Sequence, residues 1–240
     1  MHIVIVTGAS KGIGAALVEE WKKKDDTIVI GVARTSVHTP DRMIAGDVTE
    51  KETREQFQEL LKEYETRATA FTLINNAGVV EPIGMFGMID SEAIERAIQI
   101  NVTAPMEWTN TFIHALRDFK GKKRVMNISS GAGRKTYDGW GVYGTTKAAI
   151  DHFSWIVFEE QKRAAYPVDI VAIAPGIIDT NMQTVIRQAD EEAFPPLQRF
   201  IDYKKEEVLQ TPEETAAALV RYIMSDEMSK TPKADIRDFL

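Results

Sequence analysis

Two side chains near the middle of the sequence have the types and spacing needed to move a proton. Tyr143 and Lys147 stand four residues apart, so on a helix both project from one face and a phenol can act beside an ammonium. Just upstream, Val125-Met126-Asn127-Ile128-Ser129-Ser130 reads as a strand ending in hydroxyls. A free tyrosine, with a pKa of about 10, exchanges protons poorly at neutral pH, but a nearby cation favours the phenolate and lowers that value. Moving it toward the working pH improves acid–base catalysis. The expectation is a Tyr143 whose pKa is depressed by Lys147, each tenfold gain in acidity needing about 1.4 kcal/mol of phenolate stabilisation.

A second set of residues is suited to holding phosphates. Thr7-Gly8-Ala9-Ser10-Lys11-Gly12-Ile13-Gly14 follows the first apolar run and leads into a helical pattern. In such a loop Gly8 permits the tight turn, Gly12 lets backbone approach a pyrophosphate, and Gly14 allows close helix packing, while the helix N-terminus presents oriented N–H donors. Gly8, Ser10, Lys11, Gly12, Ile13 and Gly14 are the expected contacts. The choice of dinucleotide turns on the residue ending the second strand, where a carboxylate would bond the NAD ribose hydroxyls. Ala33-Arg34 stands there instead. A guanidinium can hold a 2′-phosphate bidentately, and Lys11 adds a second positive charge, so NADP(H) is preferred. Asp47-Val48 and Asn75-Asn76-Ala77-Gly78 fall at the C-terminal ends of later strands, where ligands of open α/β sheets bind. For Asp47 two roles stand side by side: accepting from the adenine amino group, or capping the helix that begins near residue 50.

These groups need a frame that brings strand ends together. Short apolar runs at 2–6, 27–33, 43–46, 70–75, 124–128, 168–173 and 234–237 alternate with helical patterns at 12–23, 50–65, 91–116 and 142–165, the third interrupted by Pro105. This is the rhythm of βα units around a parallel sheet. The fold class is therefore α/β: a doubly wound Rossmann fold, one domain over residues 1–240, with a seven-stranded, mainly parallel sheet flanked by helices on both faces. The link at 34–42 is too short for a full helix, so one crossover is abbreviated. The least regular stretch, 176–210, is expected to be a lid over the site, with a passive surface excursion as its alternative.

Composition narrows the function. The 240 residues are 44% hydrophobic and 27% charged, with a net charge of −7. That balance argues against a nonspecific nucleic-acid binder and disfavours a large acidic protein partner. No run approaches the ~18 apolar residues of a membrane span, and residues 3–6 are too few for a signal-peptide core. The chain contains no cysteine, which excludes disulfides and thiolate chemistry and is compatible with a cytoplasmic location. His2, His38, His114 and His152 lack metal-ligand spacing and are read as structural or surface residues, with no metal expected.

TGxxxGxG, NNAG, an asparagine, a serine, YxxxK and a Pro-Gly pair occur here in an order that resembles the short-chain dehydrogenase/reductase family across nearly the whole chain. The interval from residue 130 to residue 143 (143 − 130 = 13) is the family's usual one, and by that likeness Ser130 rather than Ser129 is the active serine. The resemblance implies Tyr143 as general acid, Ser130 polarising a substrate carbonyl, and Lys147 binding the nicotinamide ribose and depressing the tyrosine. Asn101 matches the asparagine that links the lysine to a proton-relay water. Asn76, Ala77 and Gly78 would line the cofactor, as would Asp47 and Val48. Pro175, Gly176, Ile178 and Thr180 resemble the loop that holds the nicotinamide.

Within the family, Ser-Ser-Gly-Ala-Gly at 129–133, Gly139-Trp140-Gly141 and the segment 174–183 resemble benzil reductases of the (S)-benzoin-forming type, and sepiapterin reductases less closely. The first likeness implies a small-molecule carbonyl substrate, a vicinal or aryl diketone. Its pocket would be lined by Ser130, Tyr137, Trp140 and Met182, with Phe194 and Phe200 nearby; alternatively the aromatics only pack the lid onto the body. Reduction of a pterin side-chain ketone is the runner-up, although Asp235 and Asp238 do not align with the aspartate that anchors the pterin. A noncatalytic NADPH-binding sensor is a reading of another class, and acyl-carrier-protein reduction would need a local basic patch. The helices at 91–116 and 142–165 are expected to form a two-fold interface in a homodimer or homotetramer.

Overall fold

The computed structural model describes residues 1–35 and 39–239. Ile3, Val4, Ile5 and Val6 are all buried, because the strand β1 (His2–Thr7) sends alternate side chains into two different cores. Val4 and Val6 join Leu17 and Trp21 of α1 (Gly12–Lys22) and Leu219 and Ile223 of α8 (Pro212–Met224). Ile3 and Ile5 face Phe57 and Leu61 of α2 (Lys51–Glu65), and Trp108 and Phe112 of α4 (Ala104–Ala115). A sheet covered in this way on both faces needs no polar side, which explains why its strands read as continuous apolar runs.

The remaining strands are β2 (Thr27–Ala33), β3 (Arg42–Ala45), β4 (Ala70–Asn75), β5 (Lys122–Ile128), β6 (Asp169–Ala174) and β7 (Lys233–Asp235). Their order is β3-β2-β1-β4-β5-β6-β7. Every pairing is parallel, so the sheet is wholly rather than mainly parallel. The winding reverses between β1 and β4, and a crevice opens beyond the C-terminal ends of those two strands. The helices α3 (Ser91–Ile98), α5 (Gly141–Gln161), α6 (Asn181–Arg187) and α7 (Leu197–Lys205) complete the layers and the excursion above them.

Four expectations from the sequence are corrected. The break in the helix at 91–116 lies before Pro105: a π-helical turn, Gln99–Thr103, separates α3 from α4, and Pro105 sits in the first turn of α4, where a missing N–H costs little. The stretch 176–210 is irregular only in part, since it contains the short helices α6 and α7 and a parallel bridge between Ile178 and Gln210 closes its neck. α8 lies outside the helices expected, although Thr211-Pro212-Glu213-Glu214 carries a capping box in which the Thr211 hydroxyl accepts from the Glu214 N–H at 3.1 Å and the Glu214 carboxylate accepts from the Thr211 N–H at 3.0 Å. β7 is shorter than the apolar pattern suggested, because Ile236 begins a 3-10 turn. In the 34–42 link the described residues contain no helix, as anticipated, and His38 lies outside the described residues.

Candidate active site

The glycine loop after β1 is locked from behind by the strap that follows β4. Gly8 has φ +68°, a left-handed conformation that disfavours any residue with a Cβ, and a Cβ there would come 2.9 Å from the Ala77 Cα. A Cβ on Gly14 would come 2.1 Å from the Gly8 carbonyl oxygen and 2.6 Å from Asn76 Nδ2. Asn76 Nδ2 donates to the Thr7 carbonyl at 3.0 Å and to the Gly8 carbonyl at 3.3 Å. The Thr7 hydroxyl accepts from the N–H groups of Asn76 and Ala77 at 3.0 and 3.1 Å. The loop is thus preformed, with Gly12 facing the Thr180 side chain from the other side of the crevice.

Around this cradle, Lys11 and Arg34 are exposed, and neither belongs to an ion pair among the described residues. Ser10 is half-buried, and Ile13 packs its side chain on the core below. Asp47 does not cap α2: its Oδ1 accepts from the Thr49 N–H at 3.0 Å and the Thr49 hydroxyl at 2.9 Å, while the N-cap is Glu50. The Val48 carbonyl is taken by Trp108 Nε1 at 2.9 Å. Pro175 is buried, and Gly176 has φ +90°, where a Cβ would come 2.8 Å from the Gln210 amide oxygen. Ile178 is buried at the neck of the excursion, and Thr180 precedes α6 as its N-cap.

The hydroxyls, the phenol and the ammonium converge beyond β5. Ser129 and Ser130 point apart, as successive residues of an extended chain must. Ser129 Oγ donates to Asp151 Oδ1 at 2.6 Å and is buried. Ser130 Oγ accepts from the Ala132 N–H at 3.1 Å and lies beside the Tyr143 phenol. Lys147 Nζ donates to the Ile128 carbonyl at 2.8 Å and stands 5.7 Å from the centre of the Tyr143 ring. Both Tyr143 and Lys147 are buried on α5, as a four-residue spacing on one helical face requires.

Asn101 lies in the π-helical turn. Its amide group pairs with the strap backbone, accepting from the Val79 N–H at 2.9 Å and donating to the Val79 carbonyl at 2.8 Å. It also donates to the Thr146 hydroxyl at 3.2 Å, which in turn donates to the Tyr143 carbonyl at 2.8 Å. A Cβ on Gly78 would lie 3.3 Å from Asn101 Oδ1 and 3.7 Å from Lys147 Nζ, so strap, π turn and α5 meet at one point. Thr7 and Thr146, which sequence reasoning passed over, hold these parts together. A hydroxyl at a strand end and another inside YxxxK were the available signals.

The electrostatics correct one expectation. Tyr143 is not depressed: burial pushes its pKa above the usual range, and only the Ser130 hydroxyl acts in the opposite sense. Burial also lowers Lys147 to about 8, with Asp151 one turn further along working the other way. In a site this dry each group resists its own charge, and for the phenol burial outweighs the Ser130 hydrogen bond.

Of the residues expected to line a substrate pocket, Trp140 is buried among rings. Its centroid lies 5.4 Å from Tyr143, 4.9 Å from Phe194, 5.1 Å from Phe200 and 5.2 Å from Tyr137. Met182 packs against the same cluster. A cleft of about 700 Å³ lies alongside, between Val79, Pro82 and Ile83 of the strap, Ala93 and Ala97 of α3, and Val185 and Ala189 around α6. Its lining includes none of Ser130, Tyr137, Trp140 and Met182, and no periodicity in the sequence marked it.

Residues 2–191 match the model of the short chain dehydrogenase family. The chain belongs to that family. Short chain dehydrogenases work with nicotinamide dinucleotides and are oxidoreductases acting between CH–OH and C=O groups. This short chain dehydrogenase is 38% identical to a benzil reductase ((S)-benzoin forming) from Bacillus cereus, over 95% of this chain and 96% of that one. It is 32% identical to a benzil reductase ((S)-benzoin forming) from Bacillus subtilis over the full length of both. A crystal structure of a short chain dehydrogenase/reductase from Saccharomyces cerevisiae superposes with a TM-score of 0.84 at 26% identity, covering all of both chains. Among the described residues, no helix is long and apolar enough to cross a membrane, and no group of His, Asp and Glu is placed to hold a metal ion. His114 and His152 are exposed, and His2 is half-buried against Thr72 at 2.9 Å.

Proposed function

We infer that this short chain dehydrogenase is an NADPH-dependent carbonyl reductase whose substrate is a vicinal or aryl diketone, with benzil to (S)-benzoin as its model reaction. The observation that carries the reading is the convergence of Ser130, Tyr143 and Lys147 beside a preformed phosphate loop. The cradle fits a dinucleotide, because Gly12, at φ +56° and opening α1, presents bare backbone to the crevice across from Thr180. Lys11 and Arg34, exposed cations at its adenosine end, suit a 2′-phosphate. The likeness to two benzil reductases supports the substrate class.

When bound, the dinucleotide supplies a hydride to the carbonyl carbon. Ser130 accepts from Ala132, which leaves its own proton free to hydrogen-bond the carbonyl oxygen. Tyr143 gives its phenolic proton to that oxygen as negative charge develops there, and its raised pKa keeps it protonated until then. Lys147, fixed by the Ile128 carbonyl, offers its remaining N–H donors to the ribose and a positive charge to the phenolate that forms. Asn101 holds the strap and α5 in register, and a relay water on its π turn would return the proton. The ring-lined wall at Tyr137, Trp140 and Met182 suits a flat aryl group, with the 176–210 excursion as its lid.

The test is turnover of benzil with NADPH and with NADH, compared with sepiapterin and a 3-oxoacyl thioester. NADPH should be preferred, and Arg34→Ala should cut that preference about tenfold or more, as expected for a lost charged hydrogen bond. Tyr143→Phe should lose most of the activity while still binding NADPH. Equal activity in Tyr143→Phe overturns the catalytic assignment, and faster turnover of sepiapterin than of any diketone overturns the substrate.

A further inference from the structure

One buried charge next to the site has no part in the reduction described above. Asp151 is buried on α5, one turn beyond Lys147. Ser129 Oγ, at the end of β5, donates to its Oδ1 at 2.6 Å. Arg134, just after the 3-10 turn Gly131–Gly133, donates from Nε to Oδ2 at 2.8 Å and from Nη2 to Oδ1 at 3.4 Å. A carboxylate taken this far from water persists only when paired and hydrogen-bonded, and here the partners come from two separate elements. Between Ser129 and Arg134 the chain carries Ser130, so the contacts to Asp151 brace the two ends of the segment that presents the active hydroxyl. The same carboxylate sits on the helix that presents Tyr143 and Lys147.

We propose that Asp151 is a positioning residue, which through Ser129 and Arg134 pins the Ser130 turn to the catalytic face of α5 and sets a carboxylate one helical turn from the Lys147 ammonium. The consequence for catalysis rests on the carbonyl-reductase reading, whereas the consequence for Lys147 does not. The groups facing Lys147 are the Ile128 carbonyl from β5 and Tyr143 and Asp151 on its own helix, with Gly78 of the strap between its ammonium and Asn101 Oδ1. Those facing Asp151 are Ser129 and Arg134, and behind Arg134 stand Asp235 and its ion-pair partner Arg237. Asp151 works against the burial that lowers Lys147, and the Arg134 guanidinium pairs with the same carboxylate at 2.8 Å, so its charge opposes that of Asp151. Removing one or the other therefore moves the Lys147 titration in opposite directions, which loss of packing alone does not.

Asp151→Asn, Arg134→Met and the double variant provide the test, each first shown to be folded by circular dichroism and to bind NADPH by fluorescence. Lys147 is followed by NMR of lysine-labelled protein, its resonance assigned by its loss in Lys147→Met. The expected result is a midpoint that falls in Asp151→Asn, rises in Arg134→Met and returns toward the original in the double variant. With benzil, kcat should drop about 10- to 100-fold in Asp151→Asn with a much smaller change in KM, as for a misplaced catalytic group. Midpoints that move the same way in both single variants, or in neither, overturn the proposal. If Asp151→Asn does not fold, a midpoint in Arg134→Met that fails to rise overturns it alone. If the midpoints move as expected but no carbonyl compound is turned over by the unmutated enzyme, the function assigned above fails and the brace stands.

Discussion

Lys147 shows what the chemistry demands of a single residue. An ammonium buried beside a phenol is held at about 8 in the folded protein, against 10.5 when solvated. The folded state therefore loses its proton first. Below pH 8 both states are charged and folding bears the full cost of burying the ion. Between pH 8 and 10.5 the unfolded chain binds more protons, so stability from this residue rises with pH, and above 10.5 the difference is spent. The cost at neutral pH is about 3 kcal/mol, since a tenfold change in proton affinity corresponds to about 1.4 kcal/mol. Lys147→Met should consequently unfold at higher denaturant concentration at pH 7, by about 1–2 kcal/mol once the lost bond to the Ile128 carbonyl is deducted. The gain should fade toward pH 10.5, and activity should be lost throughout. Urea titrations at three pH values check this, and a variant destabilised at pH 7 contradicts it. The residue types were legible in the sequence, but the direction in which the tyrosine moves was not, because spacing reports a neighbour and not how much water remains between the two.

At the scale of elements, the phosphate loop and the π turn behave differently as messages in the sequence. The loop is written in glycines, each needed where a side chain cannot go: a Cβ on Gly14 would come 2.1 Å from the Gly8 oxygen. Gly14→Ala should push the loop off the strap and weaken NADPH binding by about 1–3 kcal/mol, the usual cost of overpacking. Fluorescence titration measures it, and an affinity within twofold of the original contradicts the account. The π turn leaves no comparable trace. Gln99–Thr103 contains neither glycine nor proline, and its extra residue is stabilised by Asn101 reaching across to Val79, a contact 22 positions away in the chain. Pro105 drew attention because proline breaks helices, yet at the start of α4 it is well tolerated. α6 and α7 were hidden for a related reason. Their buried residues, Ile186 and Phe200, pack on Trp140 and Phe194 and not on the main sheet, so the segment reads as irregular although it has a core of its own.

For the molecule as a whole, the unused apolar surface is informative. Ile98, Met106, Trp155 and Ile156 are exposed on α3, α4 and α5, the helices expected to meet a second copy. A tryptophan at 51% exposure is costly to leave in water and is a common anchor of interfaces. The protein should sediment as a dimer or tetramer, and Trp155→Asp should shift it toward a smaller species. A wild-type monomer at micromolar concentration contradicts this reading. Since α5 also carries Tyr143 and Lys147, such an interface would stiffen the helix on which the proposed chemistry depends.

By itself the sequence determined the βα alternation, the parallel sheet, the glycine loop and the residues proposed to handle the proton. Each of these is encoded locally, by the period of apolar residues, by the absence of a Cβ, or by a four-residue spacing on a helix. Only the tertiary structure decided that the neighbouring Ser129 turns to Asp151, that the tyrosine is raised and not lowered, and that α6 and α7 cover the rings beside it. Those outcomes depend on water exclusion and on contacts between residues far apart in the chain, and neither quantity exists until the elements have packed.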